Sequence, residues 1–111
     1  MDNNMNKSLA QDKVLILYVL NNVKNNITES DLFKLISPVN NINYFYFKQI
    51  LADLVDSKLV QTYTKEDDTN DKPILYELSN DGKNSLNLTI DVLPGLVKLK
   101  IDTILKNEVR N

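Results

Sequence analysis

A chain of 111 residues with 42% hydrophobic and 25% charged residues and a net charge of −2 is long enough for one domain with a real core, and its balance is that of a globular protein. It contains no Cys and no His, which removes disulfides, the usual zinc ligands and the side chains most used as nucleophile or near-neutral base. No Asp/Glu pair sits in an apolar context, so the expectation is a protein that is not an enzyme and has no metal or cofactor.

The longest apolar run, Val14 to Leu20, is far short of the ~20 residues that span a bilayer. No basic segment precedes an apolar one at the N-terminus, so the expected location is cytoplasmic and no membrane partner is expected.

Residues 1–7 are polar and are expected to form a flexible N-terminal arm. Ser8-Leu9-Ala10-Gln11 matches a capping box and predicts the start of a first helix, running to about Lys24. Its segment Val14-Leu15-Ile16-Leu17-Tyr18-Val19-Leu20 is apolar on every side, as in a helix that is central to the domain or shared with a partner chain. Thr28-Glu29-Ser30-Asp31 predicts a second helix over Glu29–Ser37, with Leu32, Leu35 and Ile36 on one face. Pro38 is expected to end it and to open a turn to Ile42.

Asn43 is the predicted N-cap of a third helix, with Ile42 and Phe47 placed as a hydrophobic staple. Phe47, Ile50, Leu51, Leu54 and Val55 form its inward stripe. The other side shows Phe45, Gln49, Ala52, Asp53 and Asp56, flanked by Tyr46 and Lys48. Four successive aromatics, Tyr44 to Phe47, cannot all face the core at about 100° per residue, so Phe45 or Tyr46 is expected outside.

Leu59–Thr64 and Ile74–Leu78 are β-branched and aromatic runs around a polar stretch, Lys65 to Lys72, and read as a β-hairpin. The acidic run Asp67 to Asp71 is similar to a calcium loop, but Lys72 stands where that loop needs glycine and Leu78 where it needs glutamate. Ser79 caps a further helix, and Pro94 suits the first turn of a last one. That helix reaches about Glu108 and carries Leu96, Val97, Ile101, Ile104 and Leu105 on one stripe.

The order predicts an α+β winged helix-turn-helix: a three-helix core, a two-stranded β-hairpin wing and C-terminal dimerisation helices. The expected divisions are the arm at 1–7, the winged-helix domain at 8–88 and a helical dimerisation segment at 89–111. A single small domain does not easily cover both helix one and the C-terminal stripe, so a homodimer through Val97, Ile101, Ile104 and Leu105 is predicted, the alternative being a C-terminal helix folded back over helix one in a monomer.

The motifs Lys13-Val14-Leu15-Ile16-Leu17-Tyr18, Asn43-Tyr44-Phe45-Tyr46-Phe47-x-Gln49-x-Leu51 and Tyr76-x-Leu78-Ser79-x-x-Gly82-Lys83 resemble bacterial winged-helix regulators of the PadR and MarR type. More closely they resemble a small bacterial family of unknown function described as predicted transcriptional regulators. The resemblance implies a homodimer that binds double-stranded DNA, with the helix at about 43–57 in the major groove and the wing at 65–72 on the backbone.

The candidate DNA-contacting residues are Asn43, Phe45, Tyr46, Lys48, Gln49, Lys65 and Lys72, Gln49 because it can pair bidentately with adenine. Against the pattern of such regulators, Lys58 replaces the glycine before the first hairpin strand, and the recognition helix and wing carry no Arg. The alternative is a protein–protein module that uses the aromatic face of helix three, as exposed aromatics make interface anchors.

Overall fold

The computed structural model describes residues 2–23, 26–64 and 72–110. Among them are five α-helices, α1 (Asp2–Asn22), α2 (Glu29–Asn40), α3 (Tyr44–Asp56), α4 (Asn80–Thr89) and α5 (Gly95–Arg110), and three strands, β1 (Ile27–Thr28), β2 (Val60–Thr64) and β3 (Ile74–Leu78). The architecture is α+β, with an antiparallel sheet in the order β1-β3-β2.

α1 is the centre of the molecule. Val14, Leu15, Ile16, Leu17, Val19 and Leu20 are all buried within this one chain, enclosed by α2, α3, α4 and β3. Each such side chain contributes roughly 1.5–3 kcal/mol on leaving water, which is why a helix apolar all round takes the middle position. The helix begins at Asp2, so it takes in residues 2–7 of the expected arm, and Ser8 lies inside it and not at its N-cap.

α2 begins where expected. Thr28 Oγ1 accepts from the Asp31 N–H at 3.2 Å, and Glu29 and Asp31 lie in the first turn, where the helix dipole favours acids. Its end was misread, because the helix continues through Pro38 to Asn40. Proline's missing N–H costs only one intrahelical bond this close to the end. Asn41 closes the helix in the left-handed region, φ 49°, with its N–H on the Ser37 carbonyl at 2.8 Å. The last turn is also tied to α1, where Asn40 Nδ2 donates to the buried Asp12 Oδ1 at 2.7 Å.

α3 ends in a Schellman motif. The Leu59 N–H reaches the Leu54 carbonyl and the Lys58 N–H the Val55 carbonyl, both at 3.0 Å, with Lys58 held at φ 66°. That position suits glycine, and here a lysine bears the strain. β2 then starts at Val60 and pairs with β3 from Val60↔Leu78 to Thr64↔Ile74, the hairpin predicted from the sequence. β1 was not foreseen. It pairs with β3 on the other edge, Ile27↔Tyr76 and Thr28↔Leu75, which makes the expected two-stranded wing a three-stranded sheet. Two residues carry no periodicity, so pairing with β3 alone defines this strand.

Ser79 joins the hairpin exit to the end of α3. Its N–H donates to the Leu59 carbonyl at 3.1 Å and its Oγ–H is shared between the Lys58 and Leu59 carbonyls at 2.7 and 2.9 Å, while the same Oγ accepts from the Gly82 N–H at 2.9 Å as the cap of α4. Gly82 is what allows α4 to come this close: a Cβ there would lie 2.1 Å from the Leu59 oxygen and 2.6 Å from Leu78 Cδ1.

A 3-10 turn, Ile90–Val92, leads from α4 into α5, which lies on α2. Tyr18 Oη on α1 donates to Asp102 Oδ1 on α5 at 2.6 Å. This packing places the residues expected at a dimer interface against the chain's own core. Ile101 is 0% and Leu105 8% exposed within a single chain, and Val97 and Ile104 are half-buried against the same core. They belong to the intramolecular core that the C-terminal helices complete. Leu96, expected on the same stripe, faces away and is 63% exposed.

Candidate functional site

α3 is fixed on one side and open on the other. Phe47, Ile50, Leu51 and Leu54 are buried, and Asn43 Oδ1 caps the helix by accepting from the N–H groups of Phe45 at 2.8 Å and Tyr46 at 3.3 Å. Val55, assigned to the same stripe, is only half-buried. The outer side divides into two adjacent rows at four-residue spacing. One row, Phe45, Gln49 and Asp53, is exposed, Phe45 at 79%. The other row, Lys48, Ala52 and Asp56, lines a groove of about 310 Å³ between α3 and the sheet.

The groove follows from how the sheet leaves the helix. Val60, Thr62 and Thr64 share one face of β2, and Leu78, Tyr76 and Ile74 the matching face of β3, by the two-residue period of strands. At the base Val60 and Leu78 are in the core; further out Thr62, Tyr76 and the 52% exposed Ile74 separate from α3 and form the far wall. Leu51 and Val55 provide the helix side, and Glu29, from the start of α2, lines the groove as well.

Aromatic packing sets the N-terminal half of α3. Phe33 meets Tyr44 edge-on at 5.1 Å and Phe47 at 5.3 Å between centroids. Tyr44 Oη donates to Glu29 Oε2 at 2.8 Å, and that bond to a carboxylate pushes its phenol above the ordinary value. The Lys48 ammonium lies over the Tyr44 ring, 5.6 Å from its centroid, within cation–π range. The phenol of Tyr76 is also raised, first by burial and then by the Glu29 charge.

The expected contact residues thus fall into several groups. Phe45 and Gln49 stand together on the open row. Lys48 belongs to the groove row beside them. Asn43 is exposed but its side-chain oxygen is used as a cap. Tyr46 points inward: burial, the nearby Asp12 charge and a hydrogen bond to Asp12 push its phenol up to about 12. It shares Asp12 with Asn40, so a polar trio joins α1, α2 and α3. Lys72 is exposed just before β3, whereas Lys65 and the remainder of the expected wing tip, with its acidic run, lie outside the described residues.

The sequence reading missed Glu29, Thr62, Ile74 and Tyr76 as neighbours of α3. The alternation of Thr62 with Val60 and of Tyr76 with Leu78 puts them on one sheet face; only the fold shows that this face meets α3. Among the described residues no group of three Asp, Glu, His or Cys is placed to hold a metal ion, and no helix is long and apolar enough to cross a membrane.

A comparison with curated proteins finds no match. The chain belongs to the family described as Domain of unknown function (DUF4364), whose model matches residues 12–111.

Proposed function

We propose that this chain is a winged helix-turn-helix protein and a transcriptional regulator that binds double-stranded DNA with α3 as its recognition helix. The observation that carries the reading is the open row of α3: Phe45 and Gln49 are exposed on a helix whose opposite side is locked in the core, beside a β2–β3 hairpin. A rigid helix with a solvent-facing amide is what major-groove readout needs. The element order and the three-stranded sheet with β3 in the middle suit the winged-helix reading, as does the sequence likeness to PadR- and MarR-type regulators. In it, Gln49 reads an adenine, Phe45 touches a thymine methyl, and Lys72 and Lys65 serve phosphates.

One observation favours a second reading. The open row ends in Asp53, the groove row ends in Asp56, and both would repel phosphate, while Phe45 has the exposure of an interface anchor. The second reading is a protein partner docked on Phe45.

Selection of the full chain against a random double-stranded DNA library at low and moderate salt separates the two. The DNA reading expects an enriched site, against which Gln49→Ala loses about 1–3 kcal/mol and relaxes the preference at one base. Lys65→Ala instead weakens all sequences alike and reduces the salt slope by about one unit. If no DNA is retained even at low salt, the DNA reading fails and the protein-partner reading replaces it.

A further inference from the structure

The groove between α3 and the sheet combines an apolar floor with unbalanced charge. Leu51, Ala52 and Val55 provide the helix side and the Tyr76 ring the sheet side. Among the described residues that line it, the carboxylates are Glu29 and Asp56 and the ammonium is Lys48, which is already placed over the Tyr44 ring. Tyr44 occupies Glu29 Oε2, whereas Oε1 and the Asp56 carboxylate have no hydrogen-bond partner among the described residues.

We propose that this groove binds a small amphipathic cation, an amine or guanidinium carried on a flat apolar body. The volume of about 310 Å³ lies at the lower end of the roughly 300–1,000 Å³ range of small-molecule sites. The apolar body covers Leu51, Val55 and the face of Tyr76, a surface that also attracts cations. The cationic head lies toward Glu29 or Asp56. An anion of the same shape meets two carboxylates against a single lysine that is already engaged. A neutral apolar molecule covers the floor but gains nothing from the carboxylates, and it desolvates them in part. The inference does not depend on DNA binding, because it uses the groove row of α3 and not the open row.

Amide NMR on the isotope-labelled full chain tests it, with tryptamine as the probe, indolepropionate as the matched anion and indole as the uncharged body. Tryptamine is expected to give saturable shifts centred on Leu51, Ala52, Val55, Thr62 and Tyr76, with an affinity about tenfold or more above that of indolepropionate. Asp56→Asn and Glu29→Gln, which keep shape and one accepting oxygen but remove the charge, are each expected to weaken tryptamine by about two- to fivefold, the effect of one exposed ion pair. Leu88→Ala, exposed on α4 and outside the groove lining, should leave the affinity unchanged. The amide spectrum of each variant reports directly whether it is folded. Absence of saturable shifts, equal binding of indolepropionate, or wild-type affinity in both carboxylate variants would overturn the proposal.

Discussion

Replacing Gly82 by alanine sets helix propensity against packing, and the two predict opposite signs. Alanine is favoured over glycine inside a helix by about 1 kcal/mol, so a reading of α4 by itself expects Gly82→Ala to stabilise the protein. Within the fold the added Cβ lies 2.1 Å from the Leu59 carbonyl oxygen and 2.6 Å from Leu78 Cδ1. The first neighbour is backbone, held by Ser79 N–H at 3.1 Å and Ser79 Oγ at 2.9 Å, so it cannot rotate away like the end of a side chain. Relief requires α4 to move off the α3–β2 junction. Overpacking of this kind costs roughly 1–3 kcal/mol, and each hydrogen bond stretched or lost adds about 1 kcal/mol. After subtracting the propensity gain, the net loss is about 1–3 kcal/mol. For a domain of this length each kcal/mol moves the thermal midpoint by about 4 °C, so circular dichroism should show a fall of about 4–12 °C. A midpoint equal to or above that of the wild type would refute the close approach of α4 to Leu59.

Lys58→Gly should act in the opposite direction, raising stability in urea unfolding by about 0.5–1 kcal/mol, because φ 66° is strained for lysine and free for glycine. Ile101→Glu should lower the urea midpoint by an amount corresponding to about 3–5 kcal/mol, since it puts a charge at a fully buried position; a folded variant of wild-type stability would restore Ile101 to an interface role. Tyr18 and Tyr46, each pushed from 10.0 to about 12 with burial as the largest cause, bind their protons more tightly folded than unfolded, so their contribution is complete below pH 10 and stability falls as pH rises from about 10 to about 12. Tyrosinate absorbance should show Tyr18 and Tyr46 in a last phase near pH 12, beyond the upward-shifted Tyr44 and Tyr76, and that last phase should lose amplitude in Tyr46→Phe.

The parts of the fold that were legible in the sequence are those where the physics is local. Asn43 as the cap of α3, Thr28 as that of α2 and Ser79 as that of α4 each need only a short polar side chain within three residues of free N–H groups, and all three are present. The hairpin was legible because two β-branched runs flank one polar stretch. Apart from the Ser8 capping box, which falls inside a helix that already begins at Asp2, what failed was non-local. Pro38 reads as a helix stop, yet Asn41 in the left-handed region and the Asn40–Asp12 bond, supplied by another helix, decide the end of α2. The apolar surplus of α1 and α5 reads from sequence as a dimer seam, with a C-terminal helix folded back over helix one as the alternative. The path of α4, the 3-10 turn and α5 around the molecule, which buries Ile101 and Leu105 within the one chain, has no signature in the sequence. For the candidate site, Phe45 and Gln49 were legible from helical spacing, whereas Tyr46 was not resolved from Phe45 because its inward position rests on Asp12, which has no signature in sequence.

The division of α3 into two rows changes how its charges bear on function. Taken as one face, Lys48, Asp53 and Asp56 sum to a net negative helix, which argues against phosphate. On the structure Lys48 and Asp56 belong to the groove, where Lys48 is held against Tyr44 and the acids exceed the bases, and only Asp53 remains with Phe45 and Gln49 on the open row. The open row therefore has the composition of a base-reading or aromatic anchoring surface with little charge of its own. Under the proposed DNA reading, long-range attraction would come from lysines off that row, such as the exposed Lys34. Because the rows share one helix, a cation in the groove would also reduce the local negative field next to Gln49. If both proposals hold, groove occupancy and phosphate binding would favour each other through this field, to the same extent for each partner.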